Sequence, residues 1–514
     1  MMPAHAAENR APVAIVGAGP VGLSMAVGLA RRGVRSVLFE RKEGTNEHSR
    51  APAIHVRTRE VFRQWGVERR FLDAGELRSE LILHNTGSGR RRLLTIDLET
   101  LSPEADRPGL LVLEQGRTET LLLHAVRDSG LCDVRFGTEV TELTQGDDGV
   151  RLFFRRDGKA GSVEAEYVVG CDGAGSFVRE ALGLSFEGIT YSIRPMLADV
   201  RVEDERDALP WPRVRNGSGG FTFTVRLSSG LWRIIRLDRR DPDKDDEVPD
   251  EELNALVHQV LGPGPTERVW ANRFRIHRRS APRFRKDRVL LAGDAAHLHS
   301  PAGALGMNAG IQDAHNLAWK LASALDGGDE DRLLDSYDEE RRAVVVGTVS
   351  RYADFITRTM LQSPSVIRRG MFFLWDRILR IHPLRMRALR RMTMIDLHYP
   401  PSPLLADGAR SAGVRLPNVL LRAPEGGAIR LYDLLPYGSA LIAFGSIDLP
   451  ADLPVDEVVR IDRGAHRDPG GSLTRLIGGK TGWILVRPDA HVARVGTDPA
   501  AIAPAITHAL GRHR

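Results

Sequence analysis

The spacing of apolar positions changes period several times along this chain, and each change marks an element. Val13 to Val16 is a short all-apolar run, which reads as a buried strand. Ala, Leu, Met and Val then recur at helical spacing from Leu23 to Arg32, Gly33 ends that helix, and Val37-Leu38-Phe39 forms a second strand. Val56 to Trp65 is helical again, and Leu111 to Arg127 reads as a strand end followed by a helix, with Gln115 in the turn and Glu119 in the first helical turn. Between residues 134 and 170 the period falls to two. VRFGTEVTEL, VRLFFRRDG and VEAEYVVG are separated by the turn clusters QGDDG and DGKAG, which predicts hairpin strands. MLADVRV, GFTFTVRL and WRIIRL alternate as strands with one buried face. Val289 to Ala292 is another short apolar run, and from about Met307 the spacing is helical, with Ile311, Leu317 and Leu321 facing a core. Residues 330 to 399 read as basic helices, and Pro400 to Pro403 marks a boundary. Beyond it short strands recur in LYDLL, ALIAFG, VVRID and GWILVRPD, before a last helix at Ile502 to Leu510.

Composition narrows this picture. With 514 residues, two to four domains are expected. A hydrophobic share of 42% and a charged share of 27% fit a soluble globular protein. The net charge of +5 is spread along the chain and favours anionic partners, phosphorylated cofactors among them. No basic tail with interleaved aromatics points to nucleic acid. The two cysteines, Cys132 and Cys171, exclude a zinc cluster and argue against a disulfide framework. The opening MMPAHAAENR has no apolar core of a signal peptide, and no run of about 18 apolar residues occurs, so a cytoplasmic protein without a membrane span is expected.

Three strand ends carry candidate chemistry. Gly17-Ala18-Gly19-Pro20-Val21-Gly22 is G-x-G-x-x-G between a strand and a helix, and Glu40 closes the next strand. Gly17 permits the tight turn, Gly19 lets the backbone approach a pyrophosphate, and Gly22 lets helix and strand pack closely. The helix N-terminus then suits phosphates, and Glu40 suits both hydroxyls of an adenosine ribose, which favours FAD or NAD over NADP at that position. The strand ending at Gly170 runs into Asp172-Gly173, and the strand at Val289 runs into Gly293-Asp294. Strand C-termini of a doubly wound sheet converge on one crevice, so one long dinucleotide could use all three ends.

These motifs resemble, in order, those of the class A flavoprotein monooxygenases, the FAD-dependent aromatic hydroxylases, and more narrowly their phenol hydroxylase and aromatic polyketide hydroxylase branch. The matching segments are G-x-G-x-x-G at Gly17 to Gly22, D-G-x-x-S-x-x-R at Asp172 to Arg179, and G-D-A-A-H at Gly293 to His297. The last continues into P-x-G-x-x-G-M-N at Pro301 to Asn308, and S-R-A…R-T-R-E near residue 50 matches too. The resemblance implies an α/β fold with a Rossmann-like FAD-binding domain over residues 1–80, 105–185 and 286–360. It also implies a mixed β-sheet substrate domain over 81–104 and 186–285, a helical segment at 361–399, and a thioredoxin-like domain over 400–514 without redox cysteines. Glu40 would bind the ribose of the FAD adenosine, and Asp294 the ribityl or pyrophosphate region. Gly306, Met307 and Asn308 would present backbone and amide donors to the flavin pyrimidine edge. Asp172 would serve both FAD and a nicotinamide cofactor. Gly17, Gly19, Pro20, Gly22, Arg41, Arg50, Gln115 and Pro301 complete the expected cofactor contacts. Where the branch commonly has Gly-Gln, this chain has Ala304-Leu305, and the leucine could pack beneath the loop or face a substrate.

The implied cycle begins with hydride from NADPH or NADH; the chain has no second G-x-G-x-x-G, and the resemblance implies that this cofactor visits transiently without a Rossmann domain of its own. Reduced flavin and O2 then form a C4a-hydroperoxide that passes one oxygen atom to a phenolic or aromatic polyketide-like substrate. Baeyer–Villiger insertion or epoxidation on the same fold, or a non-catalytic flavin-binding partner protein, are the other readings. No catalytic acid or base is identified. His297 and His299 are read as loop packing rather than metal ligands, and His55 as structural. Arg57 and Arg59 are either cofactor cations or a solvated helix face. Phe221, Phe223 and Trp232 either line a pocket or pack a core. The arginine-rich helices at 368–391 would pack on the FAD domain or on another subunit, as in a homodimer, or lie on a membrane surface.

Overall fold

The N-terminal apolar run becomes an inner strand of a parallel sheet. The computed structural model describes residues 10–46, 52–86, 91–217, 220–237, 247–405, 411–435, 437–461 and 466–512. Strand β1 (Arg10–Val16) leads through the glycine turn into helix α1 (Pro20–Arg31) and then to β2 (Ser36–Phe39). Helix α2 (Gln115–Ser129) follows, with Gln115 as its first residue rather than in the preceding turn. Next come β3 (Lys159–Gly170), β4 (Val289–Leu291), α3 (Leu305–Leu325) and α4 (Glu330–Val344). The sheet order is Arg285–Lys286, β4, β3, β1, β2, Cys132–Arg135, and the run from β4 to Cys132–Arg135 is parallel throughout. The period-two segments at Thr138–Gly146 and Gly149–Arg156 extend β3 as antiparallel hairpins, as their pattern requires.

Helix α3 is the central packing element. Sixteen of its 21 residues are buried, so it is enclosed on all sides rather than amphipathic. It lies against α1 closely enough that a Cβ on Gly28 would come 2.8 Å from that of Ala318. It begins two residues earlier than the apolar spacing suggests, at Leu305.

A second sheet of seven strands runs Glu267–Arg273, Met196–Arg201, Trp232–Leu237, Gly220–Arg226, Arg213–Gly217, Glu80–Asn85, Arg91–Asp97. All pairs are antiparallel except Arg213–Gly217 with Glu80–Asn85, so the sheet is mixed. Its two faces bury different residues. Trp232, Ile234 and Val200 pack on the helix Asp250–Leu261. Phe221 and Phe223 join Tyr191, Ile276, Phe372 and Ala302 on the other face. Trp232 therefore does not share a pocket with the two phenylalanines, because strand neighbours alternate sides.

The C-terminal region holds a four-stranded sheet in the order Glu457–Ile461, Ala440–Phe444, Gly482–Val486, Val492–Gly496. The first pair is parallel and the others antiparallel. LYDLL, expected as a strand, forms a 3-10 turn at Leu431–Asp433, which buries Leu431 and Tyr432 on one side. Among the described residues no helix is long and apolar enough to cross a membrane.

Candidate active site

The register of the parallel sheet brings three separate stretches of chain to one edge. Val16 pairs with Gly170, and Gly170 with Leu291, so β1, β3 and β4 end level. The hydrogen bonds beyond those ends continue the alignment: Gly17 N–H donates to Phe39 O (2.7 Å), Cys171 N–H to Val16 O (2.7 Å) and Ala292 N–H to Gly170 O (2.9 Å). The glycine turn, the Asp172 loop and the Gly293-Asp294 turn thus stand side by side. Gly17 has φ of +102°, and a Cβ on it would come 2.5 Å from Cys171 O. A Cβ on Gly22 would fall 1.9 Å from Gly17 O. Neither position tolerates a side chain in this turn.

Gly19 differs. It is the N-cap of α1, with extended backbone, and a Cβ there would meet no atom within 4 Å. Pro20 follows at the first helical position, where its missing N–H costs nothing. The helix has no side-chain cap and no acidic residue in its first turn, so its positive end is left for an external anion. Glu40 is half-buried beside this turn. One of its oxygens accepts from Ala18 N–H (2.8 Å) and the other from Lys42 N–H (2.9 Å). Arg41 is exposed just past β2, and the loop it begins is tied to α2 by Asn46 N–H donating to Glu119 (2.9 Å). Gln115 donates to the same Glu119 (2.9 Å), so Arg41 and Gln115 flank one connection. Arg50 lies outside the described residues.

The other two loops are built to hold shape. Asp172 turns inward, accepting from Ser176 Oγ–H (2.5 Å) and Val178 N–H (3.0 Å) at the start of a short helix. Burial pushes its carboxyl above the usual range despite these donors. Arg179 of the same motif donates to Ala295 O (3.1 Å), clamping this loop to the Gly293-Asp294 turn. Asp294 itself is exposed at that turn. Behind it, fully buried Asp313 accepts from Gly293 N–H (3.0 Å), from His297 Nε2–H (2.6 Å) and from Arg341 Nε–H (2.7 Å). Burial alone would raise this carboxyl, but His297 and Arg341 outweigh it and bring Asp313 down to about 2. His299 meets Ser350 Oγ (2.8 Å) through Nδ1, so each member of the H-x-H pair has its own protein partner.

The third feature is the start of α3. Pro301, exposed, accepts from Ala304 N–H (3.0 Å) in a tight turn, and Ala304 has φ of +55°. Helix α3 also lacks a side-chain cap and a first-turn acid. A Cβ on Gly306 would meet nothing within 4 Å, and Met307 is half-buried beside it. Asn308 is fully buried. Its amide donates to Ala53 O (3.0 Å) and Ala304 O (2.8 Å), and its Oδ1 accepts from His55 N–H (2.9 Å). The side-chain donor expected to face a cofactor is therefore spent inside the protein, leaving the helix-start backbone as the outward donor set. Leu305 is buried among Val349, Ala353, Met394, Leu397 and Tyr399, so it packs beneath the loop.

Several residues that shape the site carried little signal in the sequence. His55 Nε2–H donates to Gly303 O (2.8 Å) and fastens the loop from the far side. Arg341 sits in the last turn of α4, in a charged stretch, and is recognisable only by its meeting with Asp313. Arg57 and Arg59 are neither solvated nor at the cofactor edge: they are buried on Glu60 and Glu68.

Two uncapped helix ends, two glycines whose missing side chains leave open space, and a half-buried acid, Glu40, at the end of the second strand suit an extended dinucleotide carrying an electron-rich ring. Comparison with known proteins gives the same family. The family described as FAD binding domain matches residues 10–352. A 6-methylpretetramide 4-monooxygenase of Streptomyces rimosus is 32% identical over 527 residues, covering 94% of this chain and 90% of that protein. A dialkyldecalin synthase of Streptomyces rugosporus is also 32% identical, covering 94% and 95%. Aklavinone-11 hydroxylase, solved as a ternary complex with FAD and aklavinone, superposes with a TM-score of 0.83 at 26% identity, covering 98% of this chain and 99% of that one. By its motifs, its fold and these relatives, the chain belongs to the FAD-dependent aromatic hydroxylases, the class A flavoprotein monooxygenases.

Proposed function

We propose that this enzyme uses NADPH or NADH and O2 to insert one oxygen atom into a phenolic or aromatic polyketide-like substrate, with FAD lying across the ends of β1, β3 and β4. The observation that carries the reading is the level alignment of those three strand ends beneath two uncapped helix N-termini. When bound, FAD supplies both the acceptance of hydride and the activation of O2. The chain's own residues bind and orient it. The glycine turn and α1 hold the diphosphate, Glu40 the adenosine ribose, and Asp294 the ribityl or pyrophosphate region. Arg41 and Gln115 line the adenosine side. The backbone at Gly306 and Met307 meets the pyrimidine edge, where the positive end of α3 favours the charge that reduction develops. Asn308 and Asp172 set loop shape, and Pro301 closes the turn between them and the substrate side.

The apolar face formed by Phe221, Phe223, Ile276 and Phe372 reaches Ala302 in the cofactor loop. It would receive a flat aromatic substrate and exclude water from the reacting centre. The names of the polyketide relatives support that substrate class. The C-terminal unit is proposed to be thioredoxin-like: the strand order and the parallel first pair support it, while residues 445–456 make the first crossover without a helix. Lacking cysteine, it performs no dithiol chemistry. The test is a screen of phenols and polyketide intermediates for stimulated NAD(P)H oxidation by the FAD-loaded protein. Stimulation with formation of a hydroxylated product is expected. Failure to retain FAD contradicts the reading at its base.

A further inference from the structure

The described residues include twelve exposed large hydrophobics, and six of them fall within 19 residues: Val366, Ile367, Phe373, Leu374, Ile381 and Leu384. Such a concentration marks an interaction surface rather than the usual scatter. They lie on two consecutive helices, Ser365–Ile378 and His382–Met392, and the link between them. On the first helix, positions 366, 367, 373 and 374 recur at helical spacing and share the outward face, while Phe372 and Arg368 are buried on the inward one. Val366 is 75% exposed and Phe373 62%.

Charge on this surface is dominated by arginine. Of the eight arginines in residues 365–392, Arg368 is buried on the inward face and Arg390 and Arg391 pair with Glu104 and Asp396, which leaves Arg369, Arg377, Arg380, Arg385 and Arg387; the one acid of the segment, Asp376, is held by Arg380 (2.7 Å). Arg377 lies over the Phe373 ring at 5.0 Å, a cation beside the most exposed aromatic. A second copy docking through the same patch would bring arginine against arginine, since a two-fold interface meets itself. Aromatic and aliphatic side chains on an outward helical face, bordered by arginine, match an anionic lipid surface, into whose headgroup region the apolar side chains enter.

We infer that helices 365–378 and 382–392 dock this enzyme onto anionic membranes as a peripheral, non-spanning contact. Phe372, on the opposite side of the first helix, belongs to the apolar cluster against the seven-stranded sheet, so the helix that docks also covers that cluster. The inference does not depend on the proposed chemistry.

Sedimentation of the FAD-loaded protein with phosphatidylcholine vesicles, with and without phosphatidylglycerol, tests it. Binding is expected only with the anionic lipid, weakening with salt. Phe373→Ser/Leu374→Ser should weaken it at least about tenfold, and each of Arg369→Gln and Arg377→Gln roughly fivefold. These side chains are exposed, so melting temperature and FAD retention should be unchanged. No binding to anionic vesicles overturns the proposal. So does binding that the serine variant leaves intact, which would be general attraction to a basic protein. A solution dimer that the serine variant turns into monomer assigns the face to a second copy and overturns it equally.

Discussion

Gly19 and Gly22 stand three residues apart in one turn, and the protein needs each to be glycine for a different reason. At Gly22 the chain itself forbids a side chain, since a Cβ would lie 1.9 Å from a carbonyl oxygen. At Gly19 the chain leaves open space, and its backbone conformation suits any residue. Only a bound ligand would contest that space. Gly19→Ala should therefore leave the melting temperature of the apoprotein unchanged and weaken FAD binding at least about tenfold, or about 1.4 kcal/mol. Gly22→Ala should lower the apoprotein's stability as well. Thermal melts and FAD titration of the two variants separate these outcomes, and wild-type affinity in Gly19→Ala would show that no phosphate approaches there. Leu305 illustrates the opposite case: its apolar character was plain, but its surroundings come from residues some 40 to 95 positions later in the chain.

At the scale of elements, the start of α3 is held by its neighbours. His55 ties Gly303 from one side and Asn308 ties Ala53 and Ala304 from the other. Burial lowers the His55 imidazole to about 4, against the raising effect of its backbone carbonyl partners. In the unfolded chain it takes up a proton near pH 6.5, so between 6.5 and 4 the unfolded state binds more protons. Its contribution is complete above pH 6.5 and is lost as pH falls through that window, up to about 3 kcal/mol. Urea unfolding at pH 5 and pH 7 should show stability falling on acidification, with a shallower fall in His55→Gln; equal slopes would contradict it. The elements around this loop were mostly legible, because a strand, a glycine turn and a helix leave local signatures in spacing. The clamps were not. Arg179 on Ala295, Arg341 on Asp313 and the inward amide of Asn308 depend on chain segments that meet only after folding. The same holds for the face that Trp232 takes and for the turn at Leu431–Asp433.

Across the whole molecule, the C-terminal unit is joined to α3 and α4 by charge as well as by apolar packing. Arg487 is fully buried between Glu340 of α4 (2.6 and 2.8 Å) and Asp489 (2.5 Å). Lys320 of α3 reaches the same Glu340 (2.9 Å), and Asn316 bridges Glu340 and Asp489 (2.9 Å each). Burial would raise the Glu340 carboxyl, but Arg487 and Lys320 outweigh it and hold it at about 2. Arg487→Met would leave two buried carboxylates short of a partner and should cost about 3–5 kcal/mol in chemical denaturation. Adding Glu340→Gln should recover part of that loss; no recovery would mean that packing, not charge, joins the two regions.

In the proposed reaction the aligned strand ends hold FAD for oxygen transfer to an aromatic ring. One relative is named a synthase rather than a monooxygenase, so the fate of oxygen is the deciding quantity. The most direct measurement is mass spectrometry of the product formed under ¹⁸O₂ by the FAD-loaded enzyme with NAD(P)H and an aromatic substrate from the screen. One ¹⁸O atom in the product is expected for each NAD(P)H consumed in coupled turnover. A product formed without ¹⁸O, or formed equally well without O2 and reductant, would contradict it.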